Sequence, residues 1–223
     1  MRINAQPELI RLDAEAACRA GVFGLLVPKT RDARTLQELA ELLDGIERSA
    51  GREPMAFVPM IEDAGAVLDA RLIASATPRV FALMTGGEDL ATSLDAEPTP
   101  AVLYLPKLLV HLAAKAAGVR SFGLLRTVAD YGDLDAVERS AHEAAAFGFD
   151  GASCVHPSVV PILNRAFSPS AALVERAERL LAAAEQAKAR GEGAFAFEGK
   201  MVDEPVIRRA RSLLARASAR SSD

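Results

Sequence analysis

Two textures alternate along this chain. One is a short apolar run with few polar interruptions, as in Val22-Phe-Gly-Leu-Leu-Val27, Phe57-Val-Pro-Met-Ile61 and Val80-Phe-Ala-Leu-Met84. Such a run reads as a strand of a parallel sheet, buried on both faces. The other is a longer stretch with apolar residues every three or four positions. Leu36, Leu39, Leu42, Leu43 and Ile46 form one such stripe, which reads as the inner face of an amphipathic helix. The alternation predicts strands near residues 1–4, 22–27, 56–61, 80–84, 120–125 and 151–155. It predicts helices over 7–20, 30–50, 63–78, 103–117 and 133–147, with glycines 21, 118 and 148 as stops and Thr30 or Asp32 as a cap. Strands and helices that alternate with short connections indicate a parallel sheet with helical crossovers. About six strands suit an open doubly wound sheet, or an eight-stranded barrel lacking its first two units.

The texture changes after Pro169. Residues 171–190 form a long helix rich in Ala and Glu. Residues 191–199 read as a flexible, glycine-rich tract with Phe195 and Phe197 exposed, suited to a subunit contact or an acyl channel. A last helix runs to residue 219. The chain therefore divides into an α/β domain over 1–168 and a C-terminal helical extension over 169–223 that serves oligomerisation.

The chemistry gathers where strands end. Glu62 closes the second apolar run, and Asp89 follows the Gly86-Gly87 turn after the third. Consecutive parallel strands end on the same side of a sheet, so the fold brings these two acids together. Like charges at one mouth repel unless a cation or a shared proton relieves them, and Mg²⁺ suits an all-oxygen pair. Strand-end acids also cap helices or sit in solvent. Lys29 ends the first run; it orients a substrate carboxylate, ties Glu62, or is a surface charge. His156 reads as a strand-end histidine bonded to backbone, and His111 and His142 as solvated on amphipathic helices. The loop over 91–99, between the acidic turn and a proline-flanked helix, is a candidate lid.

Composition narrows the classes. The chain has 223 residues, a net charge of -4 and no Trp, half of its residues being hydrophobic. That is an ordinary globular composition. No concentrated basic face marks a nucleic-acid partner. No apolar run spans a membrane, and the N-terminus lacks a signal pattern. Cys18 and Cys154 have no metal-ligand spacing; they read as reduced, buried residues of a cytoplasmic protein.

Eight short motifs in a fixed order carry a resemblance: Arg2-Ile-Asn4, Leu26-Val-Pro-Lys29, Met60-Ile-Glu62, Gly86-Gly-Glu-Asp89, Gly148-Phe-Asp-Gly151, Val155-His-Pro-Ser158, Asn164-Arg-Ala-Phe-Ser-Pro-Ser170 and Gly199-Lys-Met-Val-Asp203. In this order the chain resembles the citrate lyase beta subunit-like branch of the HpcH/HpaI aldolase superfamily. The resemblance implies a (β/α)8 TIM-barrel-like fold of the phosphoenolpyruvate/pyruvate superfamily with a C-terminal helical extension. It implies a Mg²⁺-dependent lyase that splits a short hydroxyacyl-CoA, of citryl, malyl or citramalyl type, to a keto acid and acetyl-CoA. A thioesterase on the same substrates, or a non-catalytic subunit, are the alternatives. Carried over residue by residue, Glu62 and Asp89 resemble the metal carboxylates, Arg2 the arginine on the keto acid and Asp203 the acid/base. Lys29, Gly87 and Glu88 fall in the substrate-binding segments. A homo-oligomer, trimeric or hexameric, would let Asp203 reach a neighbouring site.

The resemblance starts at the family's third strand, so the barrel is expected to lack its first two strand-helix units. An upstream start is the favoured explanation; a second chain that completes the barrel and a degenerate remnant are the others. Two positions depart from the family: Tyr104-Leu-Pro106 stands where a Tyr-Ala-Arg segment is usual, and Leu124-Leu125-Arg126 where an aspartate is common.

Overall fold

The computed structural model describes residues 1–125 and 132–220. The chain forms two compact units, Met1–Leu163 and Asn164–Asp223. In the first, α1 (Pro7–Arg19) precedes β1 (Gly24–Val27), α2 (Ala33–Ala50) and β2 (Ala56–Ile61). Then come α3 (Ala64–Leu68), α4 (Ala70–Ala74), β3 (Ala82–Thr85), α5 (Gly87–Ser93), α6 (Pro100–Ala116), β4 (Arg120–Phe122) and α7 (Leu134–Phe147). The short α8 (Val160–Ala166) spans the division between the units.

The four strands are parallel, in the order β1-β2-β3-β4. Register pairs Leu26 with Val58, Met60 with Met84, and Met84 with Phe122. Because side chains alternate along a strand, each apolar run supplies two faces. Leu25, Val27, Phe57, Ile61 and Leu83 join the main core with residues from α1 to α6. Val58, Met60, Ala82 and Met84 form a separate cluster with Leu26, Phe81 and Phe122. A doubly wound sheet reverses its strand order at a switch point. This sheet keeps one direction, which is how a barrel wall is built. Among the described residues no closed barrel forms. The strands expected at 1–4 and 151–155 reduce to single parallel bridges, Arg2 to Leu26 on one edge and Gly151 to Phe122 on the other. The strand expected over 120–125 stops at Phe122, and Arg126 lies outside the described residues.

The helix ends follow local chemistry. Asp32 caps α2 by accepting from the Thr35 N–H at 2.9 Å, while Thr30 is buried and donates to the Val27 carbonyl. Asp63 caps α3 through the Ala66 N–H at 2.9 Å. The helix expected over 63–78 is two helices, because Asp69 (φ −92°, ψ 5°) ends α3 and starts α4. The expected lid is also shorter, since α5 takes residues 87–93 with Glu88 and Asp89 in its first turn. His111 is a further correction. It is buried, and its ring stacks on Phe149 at 4.4 Å. Burial pushes the imidazole below its ordinary value. His142 is exposed, as expected. Cys18 is buried and Cys154 only half-buried; both are free thiols.

In the second unit, α9 (Ala171–Ala189) and α10 (Glu204–Arg220) pack together with a hairpin of β5 (Phe195–Phe197) and β6 (Lys200–Val202). The tract expected to be flexible is this hairpin. Glu198 and Gly199 both take positive φ, the geometry of a tight hairpin turn. Glu198 then accepts from Arg176 and Arg179, and those cations hold its carboxyl below the ordinary value. Phe195 and Phe197 are half-buried against Ala177, Leu180 and Val202 rather than exposed.

Candidate active site

The exits of β1, β2 and β3 share one rim of the sheet, and each carries a charged residue. Lys29 follows β1, Glu62 follows β2, and the segment 86–89 follows β3. Arg2 stands on the neighbouring edge, paired with Leu26.

Glu62 is the centre. It is 8% exposed, and its Oε2 accepts the Lys29 backbone N–H at 2.6 Å. Lys29 adopts φ 52°, a left-handed conformation that side chains other than glycine seldom take. That turn aims the main chain of Lys29 at Glu62. Its side chain goes elsewhere: Nζ lies 3.7 Å from Asp89 Oδ1. One residue therefore holds both acids, one by its amide and one by its ammonium. The ammonium contact is more than half exposed on both sides, so it contributes under about 1 kcal/mol. Burial raises the Glu62 pKa above its ordinary value; the Lys29 N–H opposes this, the Asp89 charge adds to it, and the Lys29 and Arg2 charges oppose it.

Gly86 completes the cradle. Its N–H donates to the Ile61 carbonyl at 3.1 Å, which ties the turn to the end of β2. A Cβ at this position would lie 2.4 Å from Glu62 Oε1 and 2.7 Å from Cγ. Only glycine leaves room for the carboxylate over the start of α5. Gly87, the next residue, would place a Cβ 3.1 Å from Leu103 and 3.7 Å from Lys107 Nζ.

Lys107 is the residue that the pattern reading missed. It is 7% exposed on α6, and Nζ donates to the Leu124 carbonyl at 2.9 Å. Burial pushes its pKa down to about 8, against the opposing charge of Glu88. The signal was present: Lys107 falls in helical register with Leu103, Val110 and Ala114 on the inner stripe of α6. His156 behaves as expected, its Nδ1 accepting the Ser158 N–H at 3.2 Å. The motif Gly148-Phe-Asp-Gly151 is structural here. Gly148 caps α7, Phe149 stacks on His111, Asp150 accepts from the Ser121 N–H, and Gly151 bridges to Phe122.

The structure thus brings Arg2, Lys29, Glu62, Gly87, Glu88 and Asp89 to one rim of the first unit. Asp203 belongs to the second unit, where it is half-buried and its carbonyl accepts the Val206 and Ile207 N–H groups in the first turn of α10.

The donor set fits a hard divalent cation. The Asp89 charge lies close enough to raise the Glu62 pKa, and the buried Glu62 carboxylate gains from a cation beside it. Among the described residues no third His, Cys, Asp or Glu joins them in a group that could close around a metal. Two carboxylates with open positions suit Mg²⁺, which keeps waters or substrate oxygens as its remaining ligands.

Comparison with known proteins agrees with this geometry. Residues 1–157 match the model of the HpcH/HpaI aldolase/citrate lyase family. Citrate lyase subunit beta of Haemophilus influenzae is 32% identical, the match covering 97% of this chain and 76% of that protein. The mitochondrial citramalyl-CoA lyase of Rattus norvegicus is 28% identical over 98% of this chain and 68% of its own length. The protein CitE from Mycobacterium tuberculosis, solved with magnesium, acetoacetate and coenzyme A, superposes with a TM-score of 0.75 at 32% identity. That match covers 97% of this chain and 77% of the solved one. Motif order, barrel-wall topology and a rim with paired acids converge with these matches: the chain belongs to the HpcH/HpaI aldolase/citrate lyase family.

Proposed function

We propose that this chain is a Mg²⁺-dependent carbon–carbon lyase that cleaves a short hydroxyacyl-CoA of citryl, malyl or citramalyl type to a keto acid and acetyl-CoA. The observation that carries the reading is the rim pair: Glu62 and Asp89, on adjacent strand exits, with Gly86 leaving room for the Glu62 carboxylate. The solved magnesium complexes of the M. tuberculosis protein, with acetoacetate or with pyruvate, support the metal and the class of bound acid.

Glu62 and Asp89 would hold the metal, which would supply Lewis-acid chemistry to a bound α-hydroxy acid. The chain's own cations do the orienting. The Arg2 guanidinium pairs with a carboxylate through two parallel N–H bonds, and the Lys29 ammonium adds a point charge at the same rim. Gly87 and Glu88 offer backbone at the start of α5. Cleavage takes the hydroxyl proton and breaks the adjacent carbon–carbon bond. The bonding pair goes to the acetyl thioester carbon as an enolate, which then takes a proton. Asp203 is the proposed proton carrier, reaching a neighbouring site in a trimer or hexamer. A carboxylate in that role contributes on the order of 10²–10⁴-fold. The free thiols of Cys18 and Cys154 support a cytoplasmic setting. Among the described residues no helix is long and apolar enough to cross a membrane.

Calorimetry with pyruvate and oxaloacetate, with and without Mg²⁺, tests the site. Binding is expected to need both the metal and Glu62, and to vanish in Glu62→Gln while far-UV circular dichroism stays unchanged. Binding that survives the substitution overturns the assignment. Turnover of citramalyl-CoA then separates the chemistry: keto acid with acetyl-CoA marks the lyase, whereas free CoA without keto acid marks a thioesterase.

A further inference from the structure

Lys29 stands in a conformation that suits glycine, with φ 52°. The end of β2 pins this turn on both sides. The Lys29 N–H donates to Glu62 at 2.6 Å, and the Thr30 N–H donates to the Met60 carbonyl at 3.3 Å. The Thr30 hydroxyl adds a bond to the Val27 carbonyl at 2.9 Å. Glycine would give Glu62 the same amide without backbone strain. A lysine held there against its backbone preference points to a task for the side chain. That side chain reaches Asp89, with Nζ 3.7 Å from Oδ1, and more than half of each partner stays exposed. An ion pair so open to water is held loosely and exchanges partners at little cost.

We propose that the Lys29 ammonium is an exchangeable counter-ion of Asp89, and that its release couples cation binding to keto-acid binding at this rim. The proposal rests on the assignment of Glu62 and Asp89 to Mg²⁺ made above. A divalent cation and the ammonium compete for Asp89, because like charges repel. A ligand carboxylate and Asp89 compete for the ammonium, which is a single compact charge. Cation and acid therefore oppose the same internal pair, and each lowers the cost of binding the other. Linkage makes the effect reciprocal: the factor by which the cation tightens the acid is the factor by which the acid tightens the cation. The pair sets the size of this contribution, and an exposed pair limits it to about five-fold. The next cation in the chain, Arg31, lies 3.9 Å from a different acid, Asp63. Lys29 thus divides its work. The amide fixes Glu62 permanently, and the ammonium holds Asp89 only until a better cation arrives.

The decisive test is made without metal. With a chelator present, oxaloacetate binding to the full chain is titrated by ligand-observed NMR for the wild type, Asp89→Asn, Lys29→Met and the double variant. Asp89→Asn is expected to bind oxaloacetate about two- to five-fold more tightly than the wild type, although it lacks a proposed metal ligand. Adding Lys29→Met is expected to abolish that gain. Equal or weaker binding by Asp89→Asn overturns the proposal. A gain that persists in the double variant also overturns it, since the gain then comes from lost negative charge and not from a freed ammonium. Calorimetry with Mg²⁺ alone gives the second arm. Lys29→Met is expected to bind Mg²⁺ about two- to five-fold more tightly, and Lys29→Arg to match the wild type. Unchanged or weaker Mg²⁺ binding by Lys29→Met overturns the exchange. Lys29→Gly keeps the amide and suits the turn, so it decides both arms should the methionine variant fail to fold. The metal assignment fails by a different sign: wild-type oxaloacetate binding that ignores Mg²⁺ overturns the site and the coupling together. Intact Mg²⁺ dependence with no gain in Asp89→Asn overturns the exchange alone.

Discussion

The two ends of the central sheet treat charge in opposite ways. At the N-terminal end, Arg79 enters β3 with its guanidinium 9% exposed and surrounded by acceptors. It donates to Glu47 at 2.6 and 3.0 Å, to Asp44 and to the Met55 carbonyl, and Glu47 in turn accepts the Met55 N–H at 2.7 Å. Arg79 there pairs with both Asp44 and Glu47. At the C-terminal end, Glu62 is nearly as buried, yet its neighbour across the turn is another acid, and Lys107, beside Gly87, has its pKa pushed down to about 8 by burial. The same strands thus join an end where opposite charges pair directly to an end where two acids share a rim. Charges shifted by burial and by like neighbours gather at functional sites, which is why the C-terminal rim of a barrel wall reads as a site and the opposite rim as structure.

Two substitutions of the same kind break this comparison most sharply. Glu47→Gln leaves the Arg79 cation without its main partner and is expected to lower stability by about 3 to 5 kcal/mol. Metal-dependent keto-acid binding per folded molecule should stay at the wild-type level. Glu62→Gln is expected to do the reverse. Burial already disfavours its charge and raises its pKa, so the unfolding midpoint without metal should stay level or rise. Turnover should fall by at least about 10³-fold, as loss of several kcal/mol of Lewis-acid stabilisation requires. Urea melts and calorimetry on the two variants measure both. A drop in stability for Glu62→Gln that matches Glu47→Gln would erase the distinction between the two ends.

Lys107 sharpens the comparison through pH. Its folded pKa of about 8 lies below the ordinary 10.5, because burial disfavours the ammonium. Below about pH 8 both states are protonated and the penalty is fully present. Between 8 and 10.5 the unfolded chain holds the proton and the folded chain does not, so stability rises with pH. Above 10.5 the penalty is gone. The span of 2.5 units corresponds to about 3 kcal/mol. Lys107→Met lacks this rise. The stability of the wild type relative to Lys107→Met should therefore climb by up to about 3 kcal/mol from neutral pH to the alkaline end, and the subtraction removes the other titrating groups. A flat difference would mean that the ammonium is as well solvated as an exposed lysine.

Much of this was legible in the residues, for a physical reason. A strand buried on both faces must be a continuous apolar run, so β1, β2 and β3 announced themselves, and parallel topology then placed Glu62 beside Asp89. The six expected strands became four with a bridge on each edge, since a single pair of hydrogen bonds leaves no periodic trace. The break at Asp69 was hidden because one residue near ψ 0° interrupts a helix without any change in apolar spacing. His111 and Lys107 were misjudged or missed for a shared cause. With leucines on its outer face as well, α6 has no polar side to mark which stripe is buried. Backbone direction was wholly invisible: neither the left-handed turn at Lys29 nor the clearance over Gly86 follows from residue type.

That clearance gives the smallest effect and the most selective one. Gly86 has φ −88°, which any residue adopts, so Gly86→Ala carries no backbone strain of its own. Its methyl group meets the Glu62 side chain first, at distances no real Cβ contact shows, and the carboxylate must swing away. Swinging away weakens the hydrogen bond from the Lys29 amide and takes one acid from the other. Stability should change little, because the displaced carboxylate moves toward water. Mg²⁺ affinity should fall about 10- to 100-fold, the usual result when a ligand loses its orientation rather than its chemistry. Glu62→Asp combined with Gly86→Ala offers the complementary fit: a side chain shorter by one methylene relieves the clash and should recover part of the lost affinity. An alanine variant that binds Mg²⁺ as tightly as the wild type would show that Glu62 does not need its place above α5, and the rim pair would lose its claim to the metal.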